Sequence, residues 1–161
     1  MSSLYETAPV GGPEQGDYLN AVVLLDTSLG ARALLEHCLA IERERGRLRR
    51  DRWGPRTLDL DVLVVGDARI DEPGLTVPHP LLAERRFVLE PLGEVWPGPL
   101  PDGRMVGDLL GEVAGQAVRR VAGPEWARRS RQRDAPLAAA AAVAGLAVLG
   151  AAARWALRRR R

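Results

Sequence analysis

Three stretches of the chain carry the short period of β-strands and three carry the longer period of helices. Residues 2–10, SSLYETAPV, read as a short strand running into a Pro/Gly-rich loop. Residues 18–28 place Tyr18, Asn20, Val22 and Leu24 on one face and Leu19, Ala21, Val23 and Leu25 on the other. In residues 57–66 the same rule puts Thr57, Asp59 and Asp61 on one side and Leu58, Leu60 and Val62 on the other. Between residues 28 and 46, Leu29, Ala33, Leu34, Cys38 and Ile41 recur at three- and four-residue steps, and Gly46 is placed to end that helix. Residues 81–95 and 106–115 predict a second and a third helix. Residues 47–56, RLRRDRWGPR, are an irregular basic loop, and 67–80 a polar connection with a short extended piece. No internal repeat is present.

The end of the chain breaks this pattern. A charged linker leads into LAAAAAVAGLAVLGAAA, residues 137–153, followed by RWALRRRR. As a helix the apolar run would extend about 25 Å at 1.5 Å per residue, just short of a bilayer core. Trp155 and Leu157 would lengthen it, but alanine drives insertion weakly and both flanks are basic. Two readings stay open, a membrane-inserted helix and an alanine-rich helical extension. The expected organisation is a domain over residues 1–118, a basic linker over 119–135 and a tail helix over 136–161.

Composition sharpens that division. The chain has 161 residues, 46% of them hydrophobic, enough for one domain with an appendage. All 23 basic residues are arginine. The net charge of +2 conceals an acidic body, with 12 Arg against 19 acids through residue 118, and a basic tail, with 11 Arg against 2 acids. Averaging the two would wrongly suggest a nucleic-acid binder, and no nucleic-acid partner is expected. A single cysteine, Cys38, excludes an internal disulfide and fits a reducing compartment. No secretory signal pattern opens the sequence, so the expected location is the cytoplasm, with membrane association only through the tail.

The candidate chemistry sits in RWGPRTLDLDVLVV, residues 52–65. Asp59 and Asp61 lie roughly 6–7 Å apart along one strand face and repel unless a positive group stands between them. The strand continues as a buried apolar run, so charge at its start needs a function. The preceding loop supplies Arg47, Arg49, Arg50, Arg52 and Arg56 around a Trp53-Gly54-Pro55 corner. Carboxylates opposite guanidinium forks make a site for a Mg²⁺-bound polyphosphate. There is no G-x-x-x-x-G-K-[ST] loop and no lysine to complete one, which excludes a P-loop kinase.

This block resembles the signature of the 6-hydroxymethyl-7,8-dihydropterin pyrophosphokinase family of folate biosynthesis. Three further segments, SSLYETAPVGGPEQGDYLNAVVLLDT, IERERGRLRRDRWGPR and LTVPHPLLAERRFVLEPL, are similar to the family's segments in the family's order, covering residues 2 to about 112. The resemblance implies an α+β sandwich of the ferredoxin-like kind. It also implies transfer of pyrophosphate from ATP to the pterin hydroxymethyl oxygen, with release of AMP. It gives Asp59 and Asp61 as ligands of two Mg²⁺ ions, Arg47 and Arg56 as groups stabilising the transferring phosphates, and Arg49 as their support. Glu42, Thr76, His79 and Arg85 match nucleotide contacts. Thr7, Val10, Tyr18, Asn20, Trp53 and Phe87 match the pterin pocket, where a flat bicyclic ring needs aromatic faces and an in-plane hydrogen-bonding group. A monomer acting on two small molecules is expected.

Two departures stand out. The family's first strand, its Gly-x-x-x-Asn-like turn and its first helix precede the segment that here starts at Ser2. The expectation is therefore an N-terminally truncated sandwich with an opened sheet edge and uncovered apolar surface. A start placed inside a longer reading frame is the favoured explanation, because every downstream motif is intact. The alternative is a catalytically impaired remnant that retains nucleotide binding and is anchored by its tail. Ala8 also replaces a proline common in the family's loop.

Overall fold

The computed structural model describes residues 1–8, 16–45 and 58–127, and the backbone of residues 143–150. It is a mixed α/β protein. Strands β1 (Leu4–Thr7) and β2 (Tyr18–Leu25) pair antiparallel, with Tyr5 opposite Asn20 and Thr7 opposite Tyr18. Helix α1 (Ala31–Glu44) follows, then β3 (Leu58–Val65). The polar connection expected after β3 is a two-stranded hairpin, β4 (Ile70–Glu72) and β5 (Leu75–Val77), turned at Gly74 with φ of 76°. A positive φ there is the conformation that glycine adopts without steric cost.

The single helix expected over residues 81–95 is divided. A 3₁₀ turn (Leu82–Glu84) is separated from α2 (Arg86–Val95) by Arg85, which is extended at φ −119° and ψ 103°. The physical reason lies 30 residues away. The Gln116 side-chain amide donates to the Glu84 carbonyl at 2.7 Å, and its Oε1 accepts the Arg86 N–H at 2.9 Å. That amide satisfies the backbone groups on both sides of the break. Helix α3 (Val106–Glu112) and the short strand β6 (Arg119–Ala122), which was not anticipated, complete this part of the chain. β6 lies antiparallel beside β1, and the Arg119 guanidinium bonds the Glu6 carboxylate across the pair.

The tail differs most from expectation. Residues 143–150 form a strand, β7 (Val143–Gly150), rather than part of a helix. It lies between β2 and β3, parallel to both, in a sheet of order β3-β7-β2-β1-β6. Ala21 and Leu60 both align with Leu146, so β7 joins the two strands. The position that an opened sheet would leave bare is occupied by the chain's own tail, and the ladder bonds gained there override alanine's preference for helix. Among the described residues no helix is long and apolar enough to cross a membrane.

Two apolar clusters cover the sheet. On one side α2 and α3 bury Leu89, Leu92 and Leu109 against Val22 of β2 and Leu63 and Val64 of β3. On the other, Ala31, Leu34 and Cys38 of α1 pack on Leu60 and Val62, with Leu75 and Val77 from the hairpin closing the end. Each fully buried leucine contributes about 1.5–3 kcal/mol relative to exposure.

Candidate active site

Alternation along the strands decides what shares a face. Leu63 and Val22 face α2, so Asp59, Asp61 and Asn20, at even steps from them, point to the same side. Tyr5 confirms the side, because its hydroxyl reaches Glu94 on α2. The structure therefore gathers Thr7, Tyr18, Asn20, Asp59 and Asp61 at one end of the α2-facing surface. Asn20 and Asp59 are separated by the width of β7, about 10 Å at two inter-strand spacings.

The β1–β2 corner holds the first three of these residues together. Asn20 is 3% exposed, and its Nδ2 donates to Thr7 Oγ1 at 3.0 Å, a bond made between buried groups. The pairing of Thr7 with Tyr18 brings the tyrosine alongside. At the start of α2, Phe87 is half-buried and lies under the Arg85 guanidinium, 5.8 Å from ring centroid to Cζ. The break held by Gln116 gives Arg85 this direction.

His79 links the acid pair to a neighbouring cavity. Its backbone N–H donates to the Leu63 carbonyl at 2.8 Å, which ties the segment after β5 to β3. Burial, aided by the Arg85 charge and opposed by Asp61 and Asp59, holds the imidazole below its ordinary value. The ring is therefore neutral at neutral pH. Its Nδ1 accepts the Leu81 N–H at 3.2 Å, which leaves the proton on Nε2. The cavity on its far side has a volume of about 360 Å³ and is lined by Thr76, Arg69, Asp71 and Arg104 among others. Thr76 Oγ1 is fixed by a 3.3 Å bond to Asp71 Oδ1 across the hairpin.

Glu42 lies on the buried side of α1. It continues the buried stripe Ala31, Leu34, Cys38 of α1, is 2% exposed, and accepts the backbone N–H of Leu60 at 2.7 Å. Cys38, next in that stripe, has its thiol pushed up to about 11 by burial and by the Glu42 and Asp61 charges. Val10, Arg47, Arg49, Trp53 and Arg56 lie outside the described residues.

Sequence reasoning missed two supports. Glu94 receives the Tyr5 hydroxyl and the Ser3 N–H, both at 2.6 Å, and so fastens β1 to α2. Gln116 and Arg86 stitch the start of α2 to the segment after α3 through the Gln116 amide and the Ala114 carbonyl. Neither leaves a local pattern in the sequence; both bonds join positions far apart in the chain.

The fold and these side chains define a mixed α/β protein with an acidic pair and a hydrogen-bonded Asn–Thr corner on one sheet face. Residues 1–97 match the family 7,8-dihydro-6-hydroxymethylpterin-pyrophosphokinase (HPPK), and the chain belongs to that family. Its relatives include proteins named 2-amino-4-hydroxy-6-hydroxymethyldihydropteridine pyrophosphokinase. The one from Pseudomonas aeruginosa is 44% identical over 124 residues, 76% of each chain. That from Methylorubrum extorquens is 42% identical over 120 residues, 74% of this chain and 76% of the relative. The Bacillus subtilis protein is 50% identical over 95 residues, 59% of this chain and 57% of the relative.

Proposed function

We propose that this chain transfers pyrophosphate from ATP to the hydroxymethyl group of 6-hydroxymethyl-7,8-dihydropterin, releasing AMP, as a step of folate biosynthesis. Membership of the family supports the class of reaction. The observation that carries the reading to these residues is the shared sheet face, with Asn20 and Thr7 on one strand pair and Asp59 and Asp61 beyond β7. The pterin ring lies at the Asn20 end, between Tyr18 and Phe87. The bond from Asn20 Nδ2 to Thr7 fixes the amide plane, so the residue is oriented before substrate arrives.

Asp59 and Asp61 hold Mg²⁺. Hard carboxylate oxygens in this number suit a cation that keeps waters and takes its other ligands from substrate phosphates. Among the described residues no cluster of three or more His, Cys, Asp or Glu side chains is placed to enclose a metal alone. When bound, the ion neutralises phosphate charge and aligns the polyphosphate. His79 donates from Nε2 to a phosphate oxygen, and Arg85 adds positive charge beside it. Thr76 serves the nucleotide, and Arg47, Arg49 and Arg56 are assigned to the transferring phosphates. Spread of charge over the phosphate oxygens at the transition state is what these donors stabilise.

The test is AMP formation from MgATP and 6-hydroxymethyl-7,8-dihydropterin by the full chain. Asp59→Asn and Asp61→Asn should each lower the rate by about 10²-fold or more, the scale of removing one electrostatic stabiliser. Circular dichroism should stay unchanged. A folded wild type that forms no AMP refutes the reading.

A further inference from the structure

We infer that Glu42 is a positioning residue for the acid pair, acting through the backbone of β3 rather than through the nucleotide. The inference rests on the reading of Asp59 and Asp61 as cation ligands.

Among the described residues β3 is an edge strand of the five-stranded sheet, paired only with β7. The pairing is irregular at the acids, because the register slips between Asp59, opposite Ala144, and Leu60, opposite Leu146. One extra residue of β7 is accommodated there, which loosens the ladder between the two aspartates. Leu60 stands at that point, and its N–H is taken by Glu42 Oε1 at 2.7 Å, a bond from a side chain 2% exposed to a strand residue 4% exposed. A charge-assisted bond of this kind, shielded from water, is stronger and more directional than a neutral one.

The consequence for the acids is geometric. Leu60 separates Asp59 from Asp61, so the peptide on its N-terminal side joins it directly to Asp59. Fixing the Leu60 N–H fixes the plane of that peptide and with it the spacing and aim of the two carboxylates. Helix α1 supplies the rigid mount, since Leu34, Cys38 and Glu42 form one buried stripe and the first two pack on Leu60 and Val62. A carboxylate in an apolar stripe is costly. Its place there follows if it orients groups that themselves hold a cation, as outer-shell partners of metal ligands do.

The experiment compares Glu42→Gln, Glu42→Asp and Glu42→Ala in the full chain. It uses three readouts: amide hydrogen exchange at Leu60, affinity for a non-hydrolysable ATP analogue with Mg²⁺, and the Mg²⁺ concentration giving half-maximal AMP formation. Glutamine keeps an oxygen that can accept the Leu60 N–H, whereas aspartate is one methylene short and alanine offers nothing. We expect Gln to hold slow Leu60 exchange and to move the Mg²⁺ midpoint by less than about threefold. Asp and Ala should expose the amide and raise the midpoint about 10–100-fold, the range for losing an outer-shell partner. If Ala does not fold, the contrast between Gln and Asp carries the test.

Loss of analogue affinity in Gln equal to that in Ala or Asp would mean that the charge of Glu42 serves the nucleotide, and would overturn the inference. So would a fall in melting temperature with the Mg²⁺ midpoint unmoved, which is the signature of a merely structural bond. Failure of the underlying reading shows differently. The wild type would then form no AMP, while the exchange contrast at Leu60 would still report whether Glu42 holds β3.

Discussion

Replacing Tyr5 by phenylalanine removes one oxygen and leaves the ring's packing intact, which isolates a single bond. The Tyr5 hydroxyl donates to Glu94 Oε1 at 2.6 Å, while Glu94 Oε2 takes the Ser3 N–H, also at 2.6 Å. Arg120 stands 4.0 Å from the same carboxylate. Burial works against the Glu94 charge, but the bonds from Tyr5 and Ser3 and the Arg120 charge outweigh it, holding the carboxyl below its usual range. The same environment, burial first and then Glu94, pushes the Tyr5 phenol well above its ordinary value. The lost bond runs to an ionised acceptor, so Tyr5→Phe should cost about 1.5–3 kcal/mol at pH 7.

The pH dependence follows with a definite sign. A carboxyl whose folded-state pKa is depressed adds stability that is complete above its unfolded-state value and is lost as pH falls through the folded-state value. The wild type should therefore lose stability below about pH 4.5, the ordinary range for glutamate. In Tyr5→Phe part of that contribution is already gone, and the gap between the two proteins should narrow in acid. Urea unfolding followed by circular dichroism at pH 7 and near pH 4 measures both, with equal m-values expected. A cost below about 0.5 kcal/mol at pH 7, or one that does not shrink in acid, would refute the argument.

Three further outcomes test other parts of the structure. Leu89→Ala, at a position with 0% exposure in the α2 cluster, should lower stability by about 2–5 kcal/mol in thermal or urea unfolding. Gln116→Ala removes both bonds across the break at Arg85 and should raise the KM for ATP several-fold, with a stability loss of only about 1 kcal/mol because the site is exposed. Ala147→Pro deletes a donor from the central strand β7 and should cost about 3 kcal/mol or more, read as a lowered melting temperature. An unchanged melting temperature in that variant would mean that β7 carries no weight in the sheet.

Much of the fold could be read from local pattern. Alternation placed Asp59 and Asp61 together opposite Leu60 and Val62, and the structure keeps those faces distinct. The spacing of Leu34 and Cys38 marked the inner side of α1. Elements whose stability comes from distant partners were not legible. In β6 the strand residues Arg119 and Arg120 are polar and exposed, and only pairing with β1 makes them a strand. The β4–β5 hairpin has too few apolar positions around its proline and glycine to show a period. For β7 the local preference pointed the wrong way, since alanine favours helix and only the slot between β2 and β3 selects an extended chain. The site divides similarly. Aspartates, histidine and aromatics were proposed from chemistry and family resemblance. Glu94 and Gln116 were not, because their work is done on backbone and hydroxyl groups brought near only by the fold.

The placement of β7 also has a meaning in time. Synthesis runs from the N-terminal to the C-terminal side, so β2 and β3 are complete long before the strand that belongs between them has been made. Until residues 143–150 emerge, β2 and β3 share no neighbouring strand among the described residues. Pairs such as Ala21 with Leu146 connect nearly opposite ends of the chain, the kind of contact that forms slowly. Open edges of this sort are where chains stick to one another during folding. The late-made residues 143–150 therefore decide when β2 and β3 become neighbours of one shared strand.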